Sequence, residues 1–306
     1  MPGAIDDGRH ATTRRNRVHR DAAFLALTEI AAMALWTLFG LRSGRATTDW
    51  PNRGDAHGQD SVLGMPRFDP DRCRDGCREC AEVCMPEAIQ FRDDGEPRLD
   101  LDYGRCIACQ LCVDACPTGA MTASGDWALG VRDRDDLRWQ AAPQTTDGDD
   151  DSPEARLAAG IRRVFGRSLH IRHVDAGSCN GCESELQALN NPFYNLHRLG
   201  IFFTASPRHA DLLLVTGTVT YAMRDALQAT YEAMPEPRWV LATGTCAVSG
   251  GAVGGTYASG VGVDPILPVD VYLPGCPPNP AALIHALLMI VGRAEQRMRG
   301  GRIDGA

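Results

Sequence analysis

Positive charge is what this chain has too little of. Its 31 Lys and Arg face 39 Asp and Glu, a formal net charge of -8, which excludes a general nucleic-acid binder. The sequence also has no Gly-x-Gly-x-x-Gly fingerprint, and without it no turn is written for the pyrophosphate of a dinucleotide. No Ala-x-Ala-like cleavage site follows the one long apolar run, which speaks against that run being the core of an export signal. Hydrophobic residues are not scarce: at 44% of 306 residues they suffice for one large core or two modest ones.

Cysteine is abundant instead. The twelve stand at 73, 77, 80, 84, 106, 109, 112, 116, 179, 182, 246 and 276, and the first eight crowd into 44 residues. An even count is compatible with disulfides in a secreted protein. Gaps of two and three residues favour another use, because thiolates that close on a tight turn converge on one centre more readily than they pair with distant partners. Metal ligation in a reducing, cytoplasmic compartment follows.

The order of segments sets the domain plan. Residues 1–60 begin with an Arg-rich tail (Arg14, Arg15, Arg17, Arg20) and continue through an apolar helix pattern from Ala22 to Leu41, interrupted only by Thr28, Glu29 and Thr37. That length approaches the roughly 20 residues a spanning helix needs. An ionised Glu29 in hydrocarbon would be costly. Three readings stay open: a helix lying at the membrane surface against partner subunits, a span, or a signal core. The first agrees with the reducing compartment. Residues 61–139 form a cysteine-rich domain, and 140–158 an acidic, polar linker. Residues 159–306 alternate strand and helix patterns: strands at 169–175, 211–216, 239–243 and 270–273, and helices around 157–165, 183–198, 221–234 and 279–298. Such alternation predicts a parallel sheet covered by helices, of the flavodoxin-like α/β class. Ligands bind such folds beyond the carboxyl ends of the strands, where all four late cysteines fall.

The run Cys106-x2-Cys109-x2-Cys112-x3-Cys116-Pro117 matches the bacterial ferredoxin pattern, which holds paired 4Fe-4S clusters. The resemblance implies a small α+β ferredoxin-like domain. The first run, Cys73-x3-Cys77-x2-Cys80-x3-Cys84, carries one extra residue in its first gap and Met85 before Pro86; Gly76 lets the longer turn tighten. With the usual crossover, cluster 1 takes Cys73, Cys77, Cys80 and Cys116, and cluster 2 takes Cys106, Cys109, Cys112 and Cys84. The extra residue leaves a second arrangement open, in which Cys73 is no ligand and one cluster has an exchangeable fourth position.

Further along, CNGCE at 179–183, SPRHADLLLVTGTVT at 206–220, MPEPRWVLATGTCAVSGG at 234–251 and PVDVYLPGCPPNPAAL at 268–283 are similar to the 20 kDa-type subunit of respiratory complex I. They look closer still to the small subunits of membrane-bound energy-converting NiFe hydrogenases and formate hydrogenlyase, since complex I has its first two cysteines adjacent where this chain has Cys179-x-x-Cys182. The resemblance implies that Cys179, Cys182, Cys246 and Cys276 bind one further 4Fe-4S cluster beside a large hydrogenase-like or complex I 49 kDa-like subunit. The first half resembles the ferredoxin-like subunit of the same complexes, so two neighbours look fused, which fixes their stoichiometry.

The expectation is an electron-transfer subunit with three 4Fe-4S clusters, peripheral on the cytoplasmic face of the inner membrane, with membrane subunits as further partners and no nucleic acid. It has no catalytic residue of its own, and no further cysteine pairs exist to hold nickel and iron. A subunit of an NADH:quinone oxidoreductase, a hydrogenase relative without hydrogen chemistry, and a zinc scaffold are the alternatives. Glu183 and Glu185 either carry protons beside the third cluster or stabilise the first turn of a helix. Arg208 and His209 are expected to position a loop.

Overall fold

A computed structural model describes residues 35, 37–44, 62–91, 99–140 and 168–303. The expected linker, the helix around 157–165 and most of the apolar helix lie outside these residues. The chain divides into two compact units, Met1–Thr48 and Asp49–Ala306. In the first, residues 37–43 are helical, and Leu35, Leu38, Phe39 and Leu41 are exposed. Among the described residues no helix is long and apolar enough to cross a membrane.

The second unit begins with short elements. Strand β1 (Arg67–Phe68) pairs antiparallel with β4 (Met121–Thr122), and β2 (Ile89–Phe91) with β3 (Leu99–Leu101). Between them lie helices α1 (Glu79–Glu82) and α2 (Leu111–Ala115), each barely one turn. Elements this small cannot bury an adequate core alone. Arg134 braces the far end, donating two 2.8 Å hydrogen bonds to the carboxylate of Asp102.

The second half is a five-stranded parallel sheet of β5 (Leu169–Asp175), β6 (Ile201–Phe203), β7 (Leu212–Thr216), β8 (Trp239–Thr243) and β9 (Val271–Leu273). The spatial order is β6-β5-β7-β8-β9, all neighbours parallel. Numbered from β5 this is 2-1-3-4-5, the order of the doubly wound flavodoxin-like class. Central strands β7 and β8 are buried at every position, as a parallel sheet covered on both faces requires. Their period of two splits the core. Leu213, Val215 and Val240 pack in one cluster that also takes in Leu101, Val131 and Leu137 from the first half. Leu212, Leu214 and Leu241 pack in a second, under α6 (Pro280–Ile290).

Helices α3 (Gly181–Ala188), α4 (Tyr221–Glu232) and α5 (Thr245–Ser249) complete this half with α6. The strands at 169–175 and 239–243 fall where their pattern predicts, and those at 211–216 and 270–273 each start one residue later. Two helices are shorter than expected. The pattern at 183–198 stops at Ala188, because Asn190, Asn191 and Pro192 cannot carry it on, and a 3-10 turn at Leu196–Leu199 follows. The helix expected to reach about 298 stops at Ile290; Gly292 takes a positive φ of 66° and the chain turns into a hairpin, β10 (Met298–Arg299) and β11 (Arg302–Ile303).

The two halves are interleaved. Val131 and Tyr272 exchange backbone hydrogen bonds at 2.9 and 2.8 Å, closing the β9 edge of the sheet. Trp127 meets His285 of α6 edge-on at 6.0 Å, and a Cβ on Gly130 would stand 3.3 Å from Ala286. In return the C-terminal hairpin reaches the first half, with Gly301 N–H donating to Asp136 O at 2.8 Å and Gln140 N–H to Gly300 O at 3.1 Å.

Candidate metal centres

The eight early cysteines fall into two sets of four around two cavities. One is lined by Cys73, Cys77, Cys80 and Cys116. The other is lined by Cys84, Cys106, Cys109 and Cys112. Helices α1 and α2 pack together, and the cysteine trailing each helix, Cys84 or Cys116, lines the cavity of the other run. Cys73, with its extra residue, lines the first cavity with the rest of its set. Gly76 makes this turn with a φ of 72° and open space where a Cβ would stand. In the second run Ala108 and Gln110 hold positive φ of 55° and 65°, backbone strain kept at the loop that wraps the cavity.

Electrostatics tie each set together. Burial pushes the Cys80 thiol up to about 11, helped by the charges of Cys116, Cys73 and Cys77. Burial pushes Cys106 and Cys112 up to about 12; the charges of Cys84 and Cys109 add to both, that of Cys112 to Cys106, and that of Cys80 to Cys112. Thiols crowded in this way ionise together only beside a strong positive charge. Backbone donors point at the sulfurs: Ala108 N–H to Cys106 Sγ and Met121 N–H to Cys116 Sγ, both at 3.4 Å. At Cys116 burial works upward, but hydrogen bonds from Met121, Thr118 and Ala120 outweigh it and lower its pKa.

The third set stands at the carboxyl ends of three sheet strands. After β5, Asp175 accepts from Gly177 N–H (2.9 Å) and Ser178 N–H (2.7 Å), and Asn180 turns the chain with a φ of 67° into α3, which carries Cys182. After β8 comes α5 with Cys246, and after β9 comes Cys276. Gly244 is required here: its φ is 86°, and a Cβ would lie 2.6 Å from Cys182 Sγ. Burial, then the charges of Glu183, Cys246, Cys179 and Cys276, push the Cys182 thiol up to about 12. Cys179 and Cys276 are exposed, so this set lies open at the surface.

Each set offers four thiol sulfurs, the donors that 4Fe-4S clusters take. Among the described residues no group of three or more His, Cys, Asp or Glu closes in as the ligands of one metal ion would.

Glu183 is held on several sides. It accepts from Thr216 Oγ1 and, at 2.7 Å, from Ser178 Oγ; His173 Nε2 lies 3.6 Å from it and 2.9 Å from Thr216 Oγ1. Burial raises the Glu185 pKa. Arg208 and His209 lie in the 3-10 turn Pro207–His209 before β7. Sequence reasoning missed Thr245 and Ser249. Thr245 Oγ1 donates to Cys106 O at 2.9 Å and Ser249 Oγ to Gly104 O at 2.8 Å. Their spacing of four on the Cys246 helix was the available signal.

Fold and cysteine sets together define an iron–sulfur protein of the complex I type, and the chain belongs to the family of the NADH ubiquinone oxidoreductase 20 Kd subunit, whose profile matches residues 179–290. A 4Fe-4S dicluster domain matches residues 51–120. Among individual proteins, the chain is 41% identical to formate hydrogenlyase subunit 7 of Escherichia coli (strain K12) over 179 residues, 58% of this chain and 68% of that one. It is 39% identical to the probable membrane-bound hydrogenase subunit mbhJ of Pyrococcus furiosus, over 48% of this chain and 87% of that one. Among solved structures, a chain of the membrane-bound sulfane sulfur reductase, an archaeal respiratory membrane complex, is 34% identical over 47% of this chain and 81% of its own, with a TM-score of 0.38.

Proposed function

We propose that this chain is the electron-transfer subunit of a membrane-associated, hydrogenase-like complex of the formate hydrogenlyase or energy-converting type. It carries three 4Fe-4S clusters in the order first set, second set, third set. The observation that carries this reading is the grouping of all twelve cysteines into three fours, with the second set tied to the third through Cys106 and Thr245. Bound in these housings, the clusters supply reversible one-electron chemistry.

The chain's own residues do the remaining work. Cysteine thiolates hold the irons, N–H donors at Cys106 and Cys116 stabilise negative charge on sulfur, and Gly244 keeps room beside Cys182. The exposed third set, with Cys179 and Cys276 at the surface, faces a large catalytic subunit that completes its enclosure. The chain itself performs no bond chemistry. It sits peripherally on the cytoplasmic side of the membrane; the name of one relative, a probable membrane-bound hydrogenase subunit, supports the association with a membrane.

Anaerobic purification with metal, sulfide and EPR analysis tests the proposal. About twelve irons per chain with three reducible signals are expected for three cubanes. Stoichiometric zinc in place of iron would overturn it.

A further inference from the structure

One hydroxyl touches ligand segments of two cysteine sets. Thr245 is 1% exposed and precedes Cys246 in α5. Its Oγ1 donates to the carbonyl of Cys106 at 2.9 Å and accepts from the N–H of Gly275 at 3.0 Å, next to Cys276. Its own N–H donates to Gly275 O at 2.9 Å. Both hydrogen-bonding roles of the hydroxyl are therefore filled. One turn later on the same face, Ser249 Oγ donates to Gly104 O at 2.8 Å, tying the same two segments without touching a ligand residue.

We infer that Thr245 is a positioning residue that registers the second cysteine set against the third and provides the bonded connection between them. This rests on reading the sets as cluster housings. From Cys246 the connection runs along one peptide unit to Thr245, through its side chain, across one hydrogen bond and into Cys106. From Cys276 it runs through Gly275 to the same oxygen. A single electron crossing here breaks no bond, and the hydroxyl proton stays on Oγ1. Valine at this position keeps the shape but removes the oxygen that both segments share. Serine keeps the oxygen.

The experiment compares Thr245→Val, Thr245→Ser and Ser249→Ala with the unaltered chain, each purified anaerobically with its complex. Iron content, the three EPR signals and the melting temperature are measured first. Freeze-quench EPR after a pulse of photoexcited flavin reductant then follows how fast reduction spreads from the second set to the third. The expected result for Thr245→Val is full iron content and a transfer several-fold slower, with a weaker magnetic interaction between the two signals. Thr245→Ser keeps the native rate, and Ser249→Ala lowers the melting temperature without slowing transfer. An unchanged rate in Thr245→Val would overturn the inference, as would equal slowing in Ser249→Ala, since the hydroxyl would then merely dock the two segments. If Thr245→Val loses iron, Thr245→Ser decides: native iron with a slowed transfer also overturns it, and a native rate upholds it. Missing signals in the unaltered chain would instead overturn the cluster reading, and this inference with it.

Discussion

Val131 and Tyr272 donate their backbone N–H groups to each other's carbonyls, at 2.9 and 2.8 Å. Through this pair a residue of the cysteine-rich domain covers the last strand of the parallel sheet. Val131→Pro removes one N–H and leaves the Tyr272 carbonyl unpaired in a buried setting, at a cost of about 1–3 kcal/mol. Denaturant unfolding of the anaerobic protein should show that loss, with iron content retained.

Gly244 and Gly76 both hold positive φ, yet they predict different outcomes. At Gly244 an added Cβ meets Cys182 Sγ at 2.6 Å; at Gly76 it meets nothing within 4 Å. Gly244→Ala should therefore lose the iron and the EPR signal of the third set while keeping the other two. Gly76→Ala should keep all the iron and lose only about 1–2 kcal/mol, the cost of a left-handed backbone for an L-residue.

Glu183 adds negative charge beside Cys182, where it helps to raise the thiol pKa. The same field opposes an added electron, so Glu183→Gln should raise the midpoint potential of the third set. An interaction of about 1 kcal/mol corresponds to roughly 40 mV for one electron. An EPR-monitored redox titration reads the shift, and the signals of the other two sets should stay in place.

His285 gives the protein a pH dependence of known sign. Burial, then the positive charge of Arg297, lower its pKa to about 4. The unfolded chain, with His near 6.5, binds the proton first as pH falls, so stability is complete above about pH 6.5 and is lost progressively toward about pH 4. The full effect is on the order of 3 kcal/mol. His285→Leu should flatten the unfolding midpoint between about pH 6.5 and about pH 5.

Among the described residues of the first half, Arg134 and Asp102 form the best-enclosed ion pair, with side-chain exposures of 22% and 12%. Arg134→Ala strands a carboxylate that then keeps only the Gly104 N–H, at 2.9 Å, of its described partners. A loss of about 3 kcal/mol in unfolding free energy is expected.

The sheet was legible because its strands are β-branched or leucine-rich runs that end in glycine or cysteine turns, as at 169–175 and 239–243. Strand β6 was not, since three residues, Ile201–Phe203, carry no period. Spacing marked the two early runs as metal-binding, but the ferredoxin resemblance supplied their crossover and the 20 kDa-type resemblance the third set. The seam between the halves was invisible, because Val131, Thr245 and Gln296 acquire meaning only through partners more than a hundred residues away. Helix α6 was overrun for a related reason: an apolar pattern tolerates one glycine, and Gly292 ends the helix where the returning hairpin gives the chain somewhere else to go.

The hairpin also imposes an order of assembly. Gly300 and Gly301 bond to Gln140 and Asp136, and Arg302 lies 5.1 Å over the ring of Trp139. The cysteine-rich half is thus fastened by residues made far later than itself, and it cannot reach its final packing until they have left the ribosome.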